Sequence, residues 1–155
     1  MIWSELTFGK HNGKSLPQVL FTDPDWFFWA IENDVFTKRP ALAHEATVLN
    51  RRARNIKIPG AKPDSKLVEY VIHRPTGKFS HFDVVPAGRP DHEGSSPTFR
   101  SPVIDMSVPR QIAKYDKLGC RSLLKSLKFH VFGGESARIT RKKAEEFFSD
   151  GSNFA

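Results

Sequence analysis

The stretch that most constrains the fold is Leu6-Thr7-Phe8-Gly9-Lys10-His11-Asn12-Gly13-Lys14-Ser15-Leu16-Pro17-Gln18-Val19-Leu20. It compresses a chain reversal and a helix start into a few positions. Asn12-Gly13 is a strong two-residue hairpin signal because both residue types tolerate positive φ, and Gly9 lets the backbone bend or approach a neighbour closely. Ser15 is placed to N-cap a short helical turn through Leu20, with Pro17 near its start, where a missing N–H costs little. Upstream, residues 2–10 are predicted as a short strand, with Trp3, Glu5 and Thr7 on one side and Ile2, Leu6 and Phe8 on the other.

Asp23-Pro24 repeats the pairing of a cap with a proline and predicts a helix from Asp25 to Asn33. Trp26, Phe27, Phe28, Trp29 and Ile31 fall on neighbouring faces at helical spacing, so this helix supplies the aromatic burial that a small module needs. Pro40 is expected to open a third helix, Ala41 to Asn55, on which Leu42, Ala46, Leu49 and Ala53 form one small apolar face. Arg51, Arg52 and Arg54 crowd its last turn, where the helix dipole favours cations, and Lys57 follows.

Residues 58–65 have linker composition. Residues 66–73 and 78–85 are predicted as two strands of a hairpin, with Phe79, His81, Asp83 and Val85 on one face of the second and Ser80, Phe82 and Val84 on the other. Residues 86–102, rich in proline, glycine and serine, are expected to be an exposed loop. Residues 103–106 are expected as a short strand, and the stretch from Pro109 to Tyr115 as a helix or turn. Asp116 precedes a helix from Leu118 to Phe132, which Gly133-Gly134 stops. Residues 137–139 are expected to add a strand, Thr140 to cap a last helix from Arg141 to Ser149, and residues 150–155 to fray.

The expected fold class is therefore α+β. A small aromatic N-terminal hairpin-plus-helix module (residues 1–58) packs with a C-terminal module of short antiparallel strands and basic helices (residues 66–150), and residues 151–155 form a tail.

Charge enters here because its distribution is blocky. Over the 155 residues the net charge is +7. The segments 1–35, 36–66, 67–109 and 110–155 carry −3, +6, −1 and +5. Two basic segments that converged in space would make the surface that a polyanion needs. There is no apolar run long enough to span a membrane and no leader pattern at Met1-Ile2-Trp3-Ser4-Glu5, so a soluble, cytoplasmic protein is expected. The single cysteine, Cys120, excludes an internal disulfide and a cysteine-rich zinc site, and reads as a small buried residue.

Residues Leu6 to Leu16, with Asp23-Pro24-Asp25-Trp26-Phe27-Phe28-Trp29-Ala30-Ile31 after them, resemble the small C-terminal domain of exodeoxyribonuclease X-like proteins. That family's pattern is a Phe-Gly-Lys, a variable pair, a Gly-Lys-Ser/Thr-Leu, and an Asp-Pro before an aromatic helix. The match covers residues 5–35, about a fifth of the chain. The resemblance implies an accessory module of DNA metabolism that touches nucleic acid, with Lys10 and Lys14 on the motif positions. It does not imply exonuclease activity, whose acidic metal-binding motifs belong to a separate domain and are not recognisable here.

Catalytic signatures are weak. Gly9-Lys10-His11-Asn12-Gly13-Lys14-Ser15 ends like a phosphate-binding loop but has one residue too few between its glycines. Glu69, Asp83 and Asp105 lie on predicted strands, and a nuclease would need them to converge on divalent metal. Pro63-Asp64-Ser65-Lys66 echoes a restriction-type signature without its second acidic-x-Lys. His81 and Asp83 share a predicted face, an arrangement that suits a general base, with His73 on the opposing strand. No deaminase or dinucleotide fingerprint is present, and no cofactor or metal is expected.

The function read from the sequence is a basic, noncatalytic nucleic-acid-binding accessory protein that contacts mainly phosphate, on DNA more than RNA. The binding residues are Lys10, His11, Lys14, Arg51, Arg52, Arg54, Lys57, Arg141, Lys142 and Lys143. The alternatives are an interaction adaptor of phage or mobile-element origin, docking on a replication, repair or host protein, and a divalent-metal nuclease.

Overall fold

The computed structural model describes residues 1–155. Six helices and one three-stranded sheet follow in the order α1 (Leu16–Leu20), α2 (Pro24–Glu32), α3 (Pro40–Ala53), β1 (Lys66–His73), β2 (Lys78–Pro86), β3 (Thr98–Ser101), α4 (Val108–Ile112), α5 (Lys117–Val131) and α6 (Arg141–Ser149). A 3₁₀ turn, Gly151–Asn153, closes the chain. The sheet is antiparallel with order β2-β1-β3, and the fold is α+β as expected.

One apolar cluster holds residues from both sides of the linker. Leu16, Leu20, Phe27 and Leu49 from the first half join Tyr70, Phe82, Leu123 and Phe148 from the second, all at 1% exposure or less. Leu42, Ala46, Leu49 and Ala53 form the buried face of α3 as their spacing predicts. On α2 the deepest residues are Phe27, Phe28 and Ala30, with Trp26 and Trp29 half-buried.

The opening hairpin exists, but no strand spans residues 2–10. Leu6 and Lys14 face each other, Leu6 N–H donating to the Lys14 carbonyl and Gly13 N–H to the Leu6 carbonyl, each at 2.8 Å. The only bridge is Glu5 with Ser15. Trp3 and Leu6 are buried whereas Ile2 is 96% exposed, so the alternation fails. The cause is that this segment has a docking site and no ladder: Trp3 Nε1 donates to Ser149 Oγ at 2.9 Å, and Ser4 N–H to the buried Glu45 carboxylate at 2.7 Å.

Ser15 occupies the cap position of α1 but makes no capping bond, and its hydroxyl is buried without a partner. A cap bonds the second or third N–H of its helix, and Pro17 removes the second. Asp23 and Thr140 cap their helices as predicted, and Asp116, expected only to precede α5, caps it as well. Asp23 accepts from Trp26 N–H, Asp116 from Gly119 N–H, and Thr140 from Lys143 N–H.

On β2 the expected faces are split by a bulge. The register passes from Val71 opposite His81 to Ile72 opposite Phe79, leaving Ser80 extra. Phe79 and Phe82 both turn inward, while His81 and Asp83 stay outside.

The expected loop 86–102 is shorter, because Thr98–Ser101 pairs with β1 as an edge strand. Four residues are too few for a periodicity to register in sequence. What anchors them is Phe99 stacked on Tyr70 at 4.9 Å and Arg100 Nε bonded to Glu69 at 2.8 Å. Residues 103–106 form no strand but a single bridge, Ile104 with Ile56. Residues 137–139 are not a strand either, having no ladder partner.

The tail does not fray. Phe154 is buried, stacks on Phe148 at 5.6 Å, and bridges Ile56, and Ala155 N–H donates to the Asn55 carbonyl at 2.8 Å. One buried aromatic side chain outweighs the polar residues around it.

Candidate functional site

The opening turn, the start of α2 and the start of α5 meet around a half-open cavity of about 310 Å³. Lys10, His11 and Lys14 line it from the turn, Asp23 and Pro24 from α2, and Lys117, Cys120 and Arg121 from α5. The positive ends of both helices open on it.

Asp23 is the hub. Its Oδ1 accepts from Lys117 Nζ at 2.7 Å and from the Trp26 N–H at 3.2 Å. Its Oδ2 accepts from Lys10 Nζ at 2.9 Å and His11 Nε2 at 3.0 Å. Burial works to raise this carboxyl, but the bonds from Lys117, Lys10, His11 and Trp26 outweigh it and hold the group well below the usual carboxylate range. Asp23 is thus an anion throughout the physiological range.

An ionised Asp23 decides the state of His11. The ring must carry its proton on Nε2 to donate, which leaves Nδ1 as a bare acceptor, buried and unpartnered. Burial lowers the imidazole's affinity for a second proton in spite of the carboxylate. The ring packs edge-on against Trp26 with centroids 4.9 Å apart. His11 is therefore a neutral strut between the turn and α2.

The cavity holds four cations and one carboxylate. Lys10 and Lys117 share Asp23, whereas Lys14 and Arg121 have no acidic partner. Such a rim holds a net positive potential and draws anions. It does not supply a nucleophile: burial, with Asp25 and Asp116 nearby, pushes the Cys120 thiol up to about 12.

The other expected site residues fall in two places. Arg141 lies beside the opening turn, 3.5 Å from the Gly13 carbonyl, and is held by Glu5 at 2.7 Å and Glu145 at 3.0 Å. Lys142 and Lys143 follow it, both exposed. The Arg51, Arg52 and Arg54 cluster is at the opposite end of α6. Arg52 donates to the Phe148 carbonyl, seven residues and about 10 Å of helix from Arg141. Arg54 lies over the Phe28 ring at 5.0 Å and donates to Ser107 Oγ at 2.8 Å. Arg51 and Lys57 are exposed. The two basic segments therefore do not converge at the opening turn: it gathers the starts of α5 and α6, both from residues 110–155, and takes no residue from 36–66, whose Arg52 sits at the far end of α6.

Glu69, Asp83 and Asp105 do not converge. Glu69 and Asp83 are cross-strand partners, but Glu69 is buried against Arg100 and Asp83 is exposed beside His81 at 3.4 Å. Asp105 N–H donates to the Tyr70 hydroxyl, and Tyr70, one residue along β1 from Glu69, points to the opposite face. No group of three His, Cys, Asp or Glu side chains is placed to hold a metal. His73 bonds Thr76 in the hairpin turn, away from the His81–Asp83 pair.

Lys117 and Arg121 are site residues that the sequence does not single out: Lys117 precedes the helix expected from Leu118, and Arg121 falls on a basic stripe of that helix with Lys125 and Lys128. One signal was available: Lys117 is a cation in the first turn of a helix, where the dipole opposes it, and a misplaced cation implies a carboxylate partner. No helix is long and apolar enough to cross a membrane. Set against known proteins, the chain matches no family model, no curated protein and no solved structure.

Proposed function

We propose that the protein binds nucleic acid as a basic, noncatalytic accessory of DNA metabolism, gripping the phosphate backbone at the cavity of the opening turn. The observation that carries this reading is the pair of unpaired cations, Lys14 and Arg121, on a rim that already holds Lys10 and Lys117. Exposed Lys142 and Lys143 extend the positive surface past Arg141. The resemblance of residues 5–35 to an exodeoxyribonuclease X accessory domain supports the same reading. Contacts of this kind position the protein without reading bases, so binding is weakly sequence-selective and steeply salt dependent. The test is a titration of labelled single- and double-stranded oligonucleotides at two salt concentrations. Binding that weakens sharply with salt is expected, and no binding to either at low salt overturns the proposal.

A second reading, a protein-interaction adaptor, draws on a shallow groove of about 200 Å³ between α2 and α3, floored by Ala30, Ile31, Phe36, Ala43 and Ala46. Recovery of one stoichiometric partner after nuclease treatment favours it. Loss of every partner on that treatment favours nucleic acid.

A further inference from the structure

Tyr115 is the one bulky residue in the left-handed region of the backbone, with φ 61°. The other non-glycine residues there are Asp34 and Asp64, a type whose short side chain tolerates the conformation. A tyrosine gains nothing locally from it, because its Cβ crowds the backbone, and strain of this sort marks a position held for a reason beyond folding. Its ring is not buried in return, being 67% exposed.

The ring is nevertheless held. Arg110 lies over one face, its guanidinium carbon 5.4 Å from the centroid. Arg110 is itself buried and fixed by Asp25 at 3.3 Å and Glu32 at 2.6 Å, both on α2. The cation thus backs one face of the ring and leaves the other to solvent. The Tyr115 carbonyl accepts the Lys117 N–H at 3.1 Å, so the turn that lifts the ring is tied to a lysine of the basic cavity. Leu118, 73% exposed, adds apolar surface beside it.

We infer that Tyr115 is a base-stacking platform and that the cavity lined by Lys117, two residues further on, takes single-stranded nucleic acid in preference to duplex. The inference rests on the phosphate-binding reading above and adds the conformation of the bound strand. Asp25 is shared by Arg110 under the ring and Lys117 of the cavity, and an exposed flat ring linked in this way to a cationic cavity matches a strand whose phosphates and bases are both open, whereas a duplex keeps its base faces stacked inside. The charge of the rim selects a polyanion over an apolar protein segment as the occupant.

The test compares wild type, Tyr115→Phe, Tyr115→Leu and Tyr115→Gly by fluorescence anisotropy. The probes are strands of about 12 deoxythymidines or uridines and a duplex of equal length. Wild type and Tyr115→Phe are expected to bind a single strand more tightly than duplex, the DNA and RNA arms showing which sugar is accepted. Tyr115→Gly and Tyr115→Leu are expected to lose about 5- to 100-fold on single strands with duplex affinity unchanged. Glycine takes φ 61° without strain, so Tyr115→Gly should melt no lower than Tyr115→Leu, which separates lost stacking from lost folding. Wild-type affinity for single strands in both variants, or equal losses on single strand and duplex, overturns the stacking role while leaving the phosphate reading in place. Absence of binding by wild type to every probe overturns the phosphate reading itself, and the inference falls with it.

Discussion

Lys117 Nζ donates to Asp23 Oδ1 at 2.7 Å across 94 residues of sequence. This bond joins the start of α5 to the start of α2, and with Lys10 on the other carboxylate oxygen it organises the candidate site. The same carboxylate opposes the site's attraction for anions, so its removal separates stability from binding. Asp23→Asn keeps the cap to Trp26, because asparagine caps equally well. It should cost about 1–2 kcal/mol, at the low end because the freed Lys10 and Lys117 reach water. Oligonucleotide affinity should rise as one negative charge leaves the rim. Urea melts and anisotropy on the same variant check both, and tighter folding or weaker binding contradicts the assignment.

Acid should destabilise the protein in two stages. His11 and His130 hold folded values below 6.5 because burial disfavours their charged forms. Between those lowered values and 6.5 the unfolded chain binds protons that the folded chain does not, so stability falls as pH drops below 6.5. Asp23 is lowered from 3.8, so its contribution is complete above 3.8 and is lost as pH falls further. Urea midpoints at about pH 7, 5 and 3 should decline in that order, and Asp23→Asn should flatten the last interval. A midpoint that rises on acidification contradicts the buried, neutral His11.

Arg100 should matter more than its exposed neighbours. Its Nε holds the buried Glu69 carboxylate at 2.8 Å, and its other nitrogens bond the Arg89 and Pro90 carbonyls at 2.7 and 2.8 Å. Arg100→Ala leaves a buried carboxylate unpaired and should cost about 3 kcal/mol, with faster amide exchange at the β1–β3 edge. An unchanged urea midpoint sinks this reading.

Much of the fold was legible because local chemistry decides it. The caps at Asp23, Asp116 and Thr140 and the apolar face of α3 follow from residue type and spacing alone. What was not legible depends on distant partners. The edge strand β3 exists because Phe99 meets Tyr70 and Arg100 meets Glu69, and the tail is fixed by Phe154 on Phe148. In the site, Lys10, His11 and Lys14 were visible as one turn. Lys117 joins them only through the tertiary bond to Asp23, bringing Arg121 of the same helix with it, while Arg52 bonds the Phe148 carbonyl and Arg54 lies over the Phe28 ring.

Phe154 therefore carries a specific prediction. It is 7% exposed and bridges Ile56, so Phe154→Ala should cost about 3 kcal/mol, measured by thermal or urea melting. A loss below about 0.5 kcal/mol would return the tail to the frayed state expected from its polar composition.

Cys120 should be inert in the folded chain. Its thiol is buried and pushed up to about 12, so a thiol-reactive chromogen should label it slowly in buffer and fast in urea. Fast labelling of the native protein contradicts the geometry of the cavity wall.

The most direct test of the phosphate-binding account is the salt dependence of oligonucleotide affinity in wild type and in Lys14→Gln/Arg121→Gln. Each cation that displaces a counterion contributes about 0.9 to the slope of log affinity against log salt on duplex and about 0.7 on single strands. The account predicts that the double variant binds more weakly and loses about 1.4 from the single-strand slope with its melting temperature unchanged. A slope equal to that of wild type contradicts it.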